Sequence, residues 1–165
     1  MALELNGTTG VSAVQAGAVE SGDLPAGSVI QVVETTDSSQ QFISSTSLVN
    51  TDLVASITPV ANTSKIFVQC LLHVHIQTGE LSARLNLSRD ENGVYTNLTN
   101  SSQDFRVQNA SGDFIYLPVQ LFVLDSPNTT SEVTYRVRAR SVNGGGVEIF
   151  NDRGKGRLLL MEVAG

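Results

Sequence analysis

Leu124-Asp-Ser-Pro-Asn-Thr-Thr-Ser-Glu-Val-Thr-Tyr-Arg-Val-Arg-Ala-Arg140 is the stretch on which the reading of this chain turns. From Val133 to Arg140 apolar residues alternate with Thr134 and three arginines. That period of two places successive side chains on opposite faces of a β-strand, and it is not the 3.6 of a helix. Upstream, Phe114 to Asp125 is a run rich in β-branched and aromatic residues, and Ser126-Pro127-Asn128 supplies turn chemistry between the two, so they read as a hairpin. A further strand, Gly156 to Val163, follows them. This plan predicts an all-β chain, a jelly-roll-like antiparallel β-sandwich.

Working outward, short apolar runs alternate with polar turns from Ser28 onward, and no window carries a helical period. Strands are expected near Val29 to Glu34, Gln41 to Ser47, Leu53 to Thr58, Lys65 to Gln77, Leu81 to Arg89, Phe105 to Gln108, Phe114 to Asp125, Glu132 to Val142, Val147 to Phe150 and Gly156 to Val163. Pro59, Gly79, Asn92-Gly93, Ser111-Gly112-Asp113, Ser126-Pro127-Asn128 and Asn143-Gly144-Gly145-Gly146 are the breaks. The composition changes near Gly27. Residues 1–27 are dominated by small residues and glycines that break any regular period, and they cannot bury enough to fold alone. They read as an extended N-terminal arm, residues 1–26 reaching about 85 Å at about 3.3 Å per residue. Its apolar residues Leu3, Leu5, Val11, Val14 and Val19 are candidate docking groups. Residues 28–165 form the β-sandwich knob.

The strand faces suggest self-association. In Lys65 to Gln77, Ile66, Val68, Cys70, Leu72, Val74 and Ile76 share one face, which reads as core; Phe67, Gln69, Leu71, His73 and His75 share the other. In Phe114 to Asp125 both faces are apolar, and the same holds around Leu158 to Met161. A single two-layer sandwich of this size has little means of covering both faces, so an oligomer is expected, and a homotrimer is our choice. Pro118 inside a long strand implies an edge or a bulge.

The formal net charge of -6 argues against nucleic acid as a partner, because backbone phosphates need a basic surface. No secretory signal or membrane-inserting segment is expected, and the site of synthesis is read as a cytoplasm. The single cysteine, Cys70, excludes an internal disulfide framework and reads as a buried thiol. No catalytic residue is assigned. There is no Gly-x-Ser-x-Gly elbow, Asp152-Arg-Gly-Lys-Gly156 lacks phosphate-loop spacing and reads as a turn, and Asp90, Glu91, Asp104 and Asp113 read as solvated carboxylates. His73 and His75, repeated by three chains around an axis, would suit an octahedral transition metal. The plainer reading is polar or interface histidines, and neither metal nor cofactor is expected. Arg136, Arg138 and Arg140 lie on one strand face against Val133, Tyr135, Val137 and Ala139 on the other. That basic stripe either meets an anionic partner, such as a cell-surface glycan or a neighbouring subunit, or is a solvated face.

Ser28-Val-Ile-Gln-Val-Val-Glu34, Ser56-Ile-Thr-Pro59 followed by Ser64-Lys-Ile-Phe-Val68, the Leu124 to Arg140 stretch and Met161-Glu-Val-Ala-Gly165 together resemble a recurrent domain of tail-fibre and other surface proteins of tailed bacteriophages, especially marine and cyanobacterial ones. The opening Leu3-Glu-Leu-Asn-Gly-Thr-Thr-Gly10 is similar to the N-terminal arms of such proteins. The resemblance covers about the last four-fifths of the chain and transfers no active-site residue. It implies a virion structural protein of tail-fibre type: a homotrimer held to other virion proteins by its arm and presenting its knob for host-surface adhesion. A capsid decoration or head-fibre protein is the alternative, and a small glycan depolymerase the third reading.

Overall fold

The computed structural model describes residues 23–76, 79–91, 93–109, 115–142, 145–149 and 154–165. The arm residues Leu3, Leu5, Val11, Val14 and Val19 lie outside the described residues, as do the side chains of Asp104 and Asp113. The strands are β1 (Val29–Asp37), β2 (Gln41–Ile43), β3 (Val49–Ile57), β4 (Lys65–Ile76), β5 (Gly79–Glu91), β6 (Val94–Asn109), β7 (Ile115–Asp125), β8 (Val133–Ser141), β9 (Val147–Ile149) and β10 (Gly156–Val163).

All pairings are antiparallel and fall into two sheets. In the first, β1 pairs β10, β10 pairs β4 and β7 pairs the other edge of β4; β9 extends the β10 edge further along β4, with β2 beside it. In the second the order is β3-β8-β5-β6. One core joins the sheets in a β-sandwich-like arrangement. Ile66, Val68, Cys70, Leu72 and Val74 of β4 are buried with Val119 and Leu121 of β7 and Leu158 and Leu160 of β10, and they meet Leu53, Leu85, Leu87, Tyr135 and Val137 of the second sheet. The alternation read in β4 and β8 therefore matches their core faces, and of the two apolar faces of β7 the one carrying Val119 and Leu121 is buried. Pro118 falls on β7, which among the described strands pairs only β4 and so lies at the sheet edge, where a missing N–H is tolerated.

The expected hairpin of β7 and β8 does not form, because β7 lies against β4 while β8 sits between β3 and β5 in the other sheet. The connection 126–132 is an arch between sheets. Two-residue hairpin turns want Asn-Gly or Gly at their centre. Here Pro127 is buried and Asn128 takes a left-handed φ of 55°, its side-chain amide donating to the Ser126 carbonyl at 3.0 Å. Among the described strands, β5 and β6 are the only consecutive pair to lie side by side in a sheet ladder. Asp90 accepts the Gly93 N–H at 2.6 Å in their turn, and Gly93 supplies a φ of +85°.

Two buried carboxylates tie the layers together. Asp125, at the end of β7, accepts Arg89 Nη1 of β5 at 2.6 Å and the Tyr135 hydroxyl of β8 at 2.8 Å, closing the arch. Burial works to lower the Arg89 pKa, but the hydrogen bond and charge of Asp125 outweigh it and raise it. Burial first, then the Asp125 charge, push the Tyr135 phenol up. Glu162 of β10 is fully buried, accepting Gln31 Nε2 of β1 at 2.5 Å and the Val60 N–H at 2.7 Å. It thereby pins the 58–64 connection against β1 and β10. Ala164 N–H donates to Ser28 O and Gly27 N–H to Ala164 O, while a Cβ at Gly165 would overlap the Thr63 carbonyl. The strings beginning at Ser28, Ser56, Ser64 and Met161 thus converge on one structural junction.

Candidate functional site

The outer face of the first sheet is built from cross-strand rows fixed by register. Val32 pairs Met161, Met161 pairs Phe67 and Phe67 pairs Leu124, an unbroken apolar row over four strands. The next row is Glu34, Leu159, Gln69 and Phe122, and the one after it Thr36, Arg157, Leu71 and Gln120. At the far end Phe42, Glu148, His75 and Tyr116 form another row. Phe122 is 61% exposed, Phe42 62%, Val32 55% and Leu124 52%, so the large apolar groups stand open in the isolated chain. Phe67 and Phe122 are in ring contact at 6.5 Å. Beside Leu124 the face runs into a cleft of about 700 Å³ whose lining includes Phe67, Phe122 and Leu124 together with Leu98, Arg89 and Asp125.

The two histidines share this face as expected, with different surroundings. His75 Nδ1 is 2.6 Å from Glu148 Oε2, and its ring stacks on Tyr116 at 4.6 Å. His73 lies under Gly154, where a Cβ would overlap the imidazole, and its Nδ1 is buried without a hydrogen-bond partner among the described residues. No group of three or more His, Cys, Asp or Glu among the described residues is placed to hold a metal ion.

The outer face of the second sheet is of opposite character. Arg136, Arg138 and Arg140 stand on it in a row, each half-buried, with Val133, Tyr135, Val137 and Ala139 turned into the core. Strand β3 bulges between Asn50 and Val54 opposite this row, which leaves backbone groups without ladder partners. The arginines bridge to the carbonyls there and in the preceding loop: Arg136 Nη1 donates to Thr51 O at 3.2 Å, Arg138 Nη2 to Leu48 O at 2.9 Å and Arg140 Nη1 to Thr46 O at 3.2 Å. Thr51 Oγ1 completes the repair by donating to Val137 O at 2.8 Å. Tyr95 of β6 reaches across the sheet so that the Arg138 guanidinium lies 4.8 Å over its ring, and Asn50 Nδ2 donates to its hydroxyl at 2.8 Å. None of these three arginines makes an ion pair among the described residues.

Of the scattered carboxylates, Asp90 caps the β5–β6 turn and Glu91 lies 2.7 Å from Arg89 Nε. Burial pushes the Cys70 thiol up and keeps it protonated in the core. The sequence made the arginine row visible, but not the β3 carbonyls, Tyr95 or Asn50 that join it, because these come from strands distant in the chain. No protein-family model matches this chain, and no curated protein matches it significantly.

Proposed function

We propose that this chain is a virion structural protein of tail-fibre type. Its sandwich is a jelly roll that associates as a homotrimer, residues 1–27 dock it to other virion proteins, and the knob is presented for host-surface adhesion. Support for the jelly roll comes from the strand order: β1-β10-β4-β7 faces β3-β8-β5-β6 while the chain passes repeatedly between sheets, as interlocked Greek keys require. The observation that carries self-association is the apolar row Val32, Met161, Phe67 and Leu124 with Phe122 beside it. Covering each large side chain is worth about 1.5–3 kcal/mol, and a soluble chain gains nothing by holding such a row in water. The threefold number and the virion context rest on the resemblance of the sequence to phage fibre domains.

Light scattering of the purified protein is expected to give about three times 17.5 kDa. Phe122→Lys combined with Leu124→Lys should yield a folded monomer, since both residues are exposed in the isolated chain and charging them harms only the contact. A wild-type protein that stays monomeric at micromolar concentration sinks the assembly. Removing residues 1–26 should leave folding and trimerisation intact and abolish incorporation into particles. Normal occupancy of the truncated form would move docking to the sandwich, and electron microscopy of the particle separates a tail from a head location.

A further inference from the structure

We propose that the row Arg136, Arg138 and Arg140, with Tyr95 and Asn50, is a binding face for an acidic polysaccharide. This deepens the adhesion reading above, on which it rests, by naming the ligand class and the residues that hold it.

The three guanidiniums are positioned before any ligand arrives. Each uses one N–H on a β3 or loop carbonyl, and Arg138 is further held over the Tyr95 ring, so little side-chain freedom remains to be lost on binding. The Nε of each is buried, so the donors left for a carboxylate or sulfate are the Nη N–H groups that the one carbonyl bond does not use. Arg136, Arg138 and Arg140 have no ionic partner among the described residues, on a chain whose net charge is -6. A positive row without an ionic partner among the described residues, on a chain of net charge -6, favours an anion there.

Spacing and charge select the class. Alternate residues of a strand lie about 6.6 Å apart, which suits a polymer carrying one charge every sugar or two. Duplex nucleic acid, with one charge per about 1.7 Å, would meet more repulsion from the acidic remainder of the protein than three arginines offset. Tyr95, already covered on one side by Arg138, offers no free stack of aromatic rings for bases. The face also belongs to the sheet opposite the apolar rows, so it stays open when those rows are covered, and three copies per assembly would add avidity.

The test uses the full chain with polygalacturonate and dextran sulfate as probes, and with neutral dextran and single-stranded DNA as controls. Binding to both polyanionic sugars at low salt is expected, none to dextran, with the contact loosening as salt shortens the screening length from about 30 Å at 0.01 M to about 8 Å at 0.15 M. Replacing all three arginines by Gln should weaken polygalacturonate binding at least about tenfold, the scale of one lost charge-assisted contact. Because that variant also releases the β3 carbonyls, Asn50→Asp serves as the second. It keeps every arginine strap, places a carboxylate beside Arg138 and should weaken binding severalfold with the melting temperature unchanged. Equal binding to neutral dextran, indifference of binding to both variants, or a preference for DNA overturns the proposal. A trimer that binds no acidic sugar defeats this inference alone, whereas a monomer that binds it defeats the assembly alone.

Discussion

Asp125→Ala is expected to destabilise the fold by about 3–5 kcal/mol, the cost of removing one partner from a buried ion pair and stranding the other. The side chains of Arg89 and Asp125 are only 14% and 12% exposed, so water does little to replace the lost contact. The same carboxylate accepts the Tyr135 hydroxyl, which is fully buried on the core face of β8 and would lose its acceptor. The loss falls on the arch 126–132, whose two ends lie in different sheets, and the sheets would be expected to part first at that edge. In thermal melts at matched protein concentration the drop should be about 6–20 °C for a chain of this size. Asp125→Asn retains an acceptor for Tyr135 and loses the charge, so it should fall between wild type and alanine. Adding Arg89→Met to Asp125→Ala removes the stranded cation and should recover about 1–3 kcal/mol, because an apolar replacement of a whole pair is often tolerated. An Asp125→Ala protein within 1 kcal/mol of wild type would mean that the pair is merely decorative.

The arch shows what was legible in the sequence and what was not. Strict alternation in Val133 to Arg140 and in Lys65 to Gln77 assigned the core faces correctly, because a period of two leaves no other way to bury one side of a strand. The partner of each strand was not written there. The segment 124–140 has the hydrophobicity of a hairpin, and only the reach of Asp125 to Arg89 and Tyr135 reveals a crossing between sheets. Likewise, Val94–Asn109 is one long strand whose middle, Thr96-Asn-Leu-Thr-Asn-Ser-Ser-Gln103, carries no apolar alternation. It is held by backbone pairing to β5, interrupted by an irregularity opposite Asn86 to Ser88, and only its Phe105 to Gln108 portion was expected as strand. The candidate faces divide the same way. That Phe122 and Leu124 share a face, and that the arginines form a row, follows from sequence parity, whereas the alignment of Val32, Met161, Phe67 and Leu124 and the reach of Tyr95 to Arg138 depend on register among distant strands. Nothing in the sequence singles out Glu162 of the closing strand, and the structure places it in the interior.

Glu162 gives the second large effect, with a pH signature of its own. Burial opposes its ionisation, yet the Ser64 hydroxyl, Gln31 and the amides of Val60 and Ala61 around it outweigh that cost and hold the carboxyl below its ordinary value of 4.5. Folding therefore favours the ionised form. Between the folded and unfolded pKa values the unfolded chain binds more protons, so stability rises with pH across that window. The contribution is complete above the unfolded value and disappears as the pH falls through the lower folded one. Glu162→Gln preserves shape and one acceptor but turns an amide donor toward the donors around it, leaving a buried polar group unpaired at a cost of about 1–3 kcal/mol near neutral pH. Denaturant unfolding of the two proteins from about pH 6 to pH 2.5 should show the wild-type advantage shrinking on the acid side, as the protonated acid and the amide become equivalent in charge. Other carboxylates titrate in both proteins alike and cancel in the difference. A gap that stays constant down to the acid limit would assign the role of Glu162 to packing alone, and a gap that widens on acidification would reverse the sign derived from its donors.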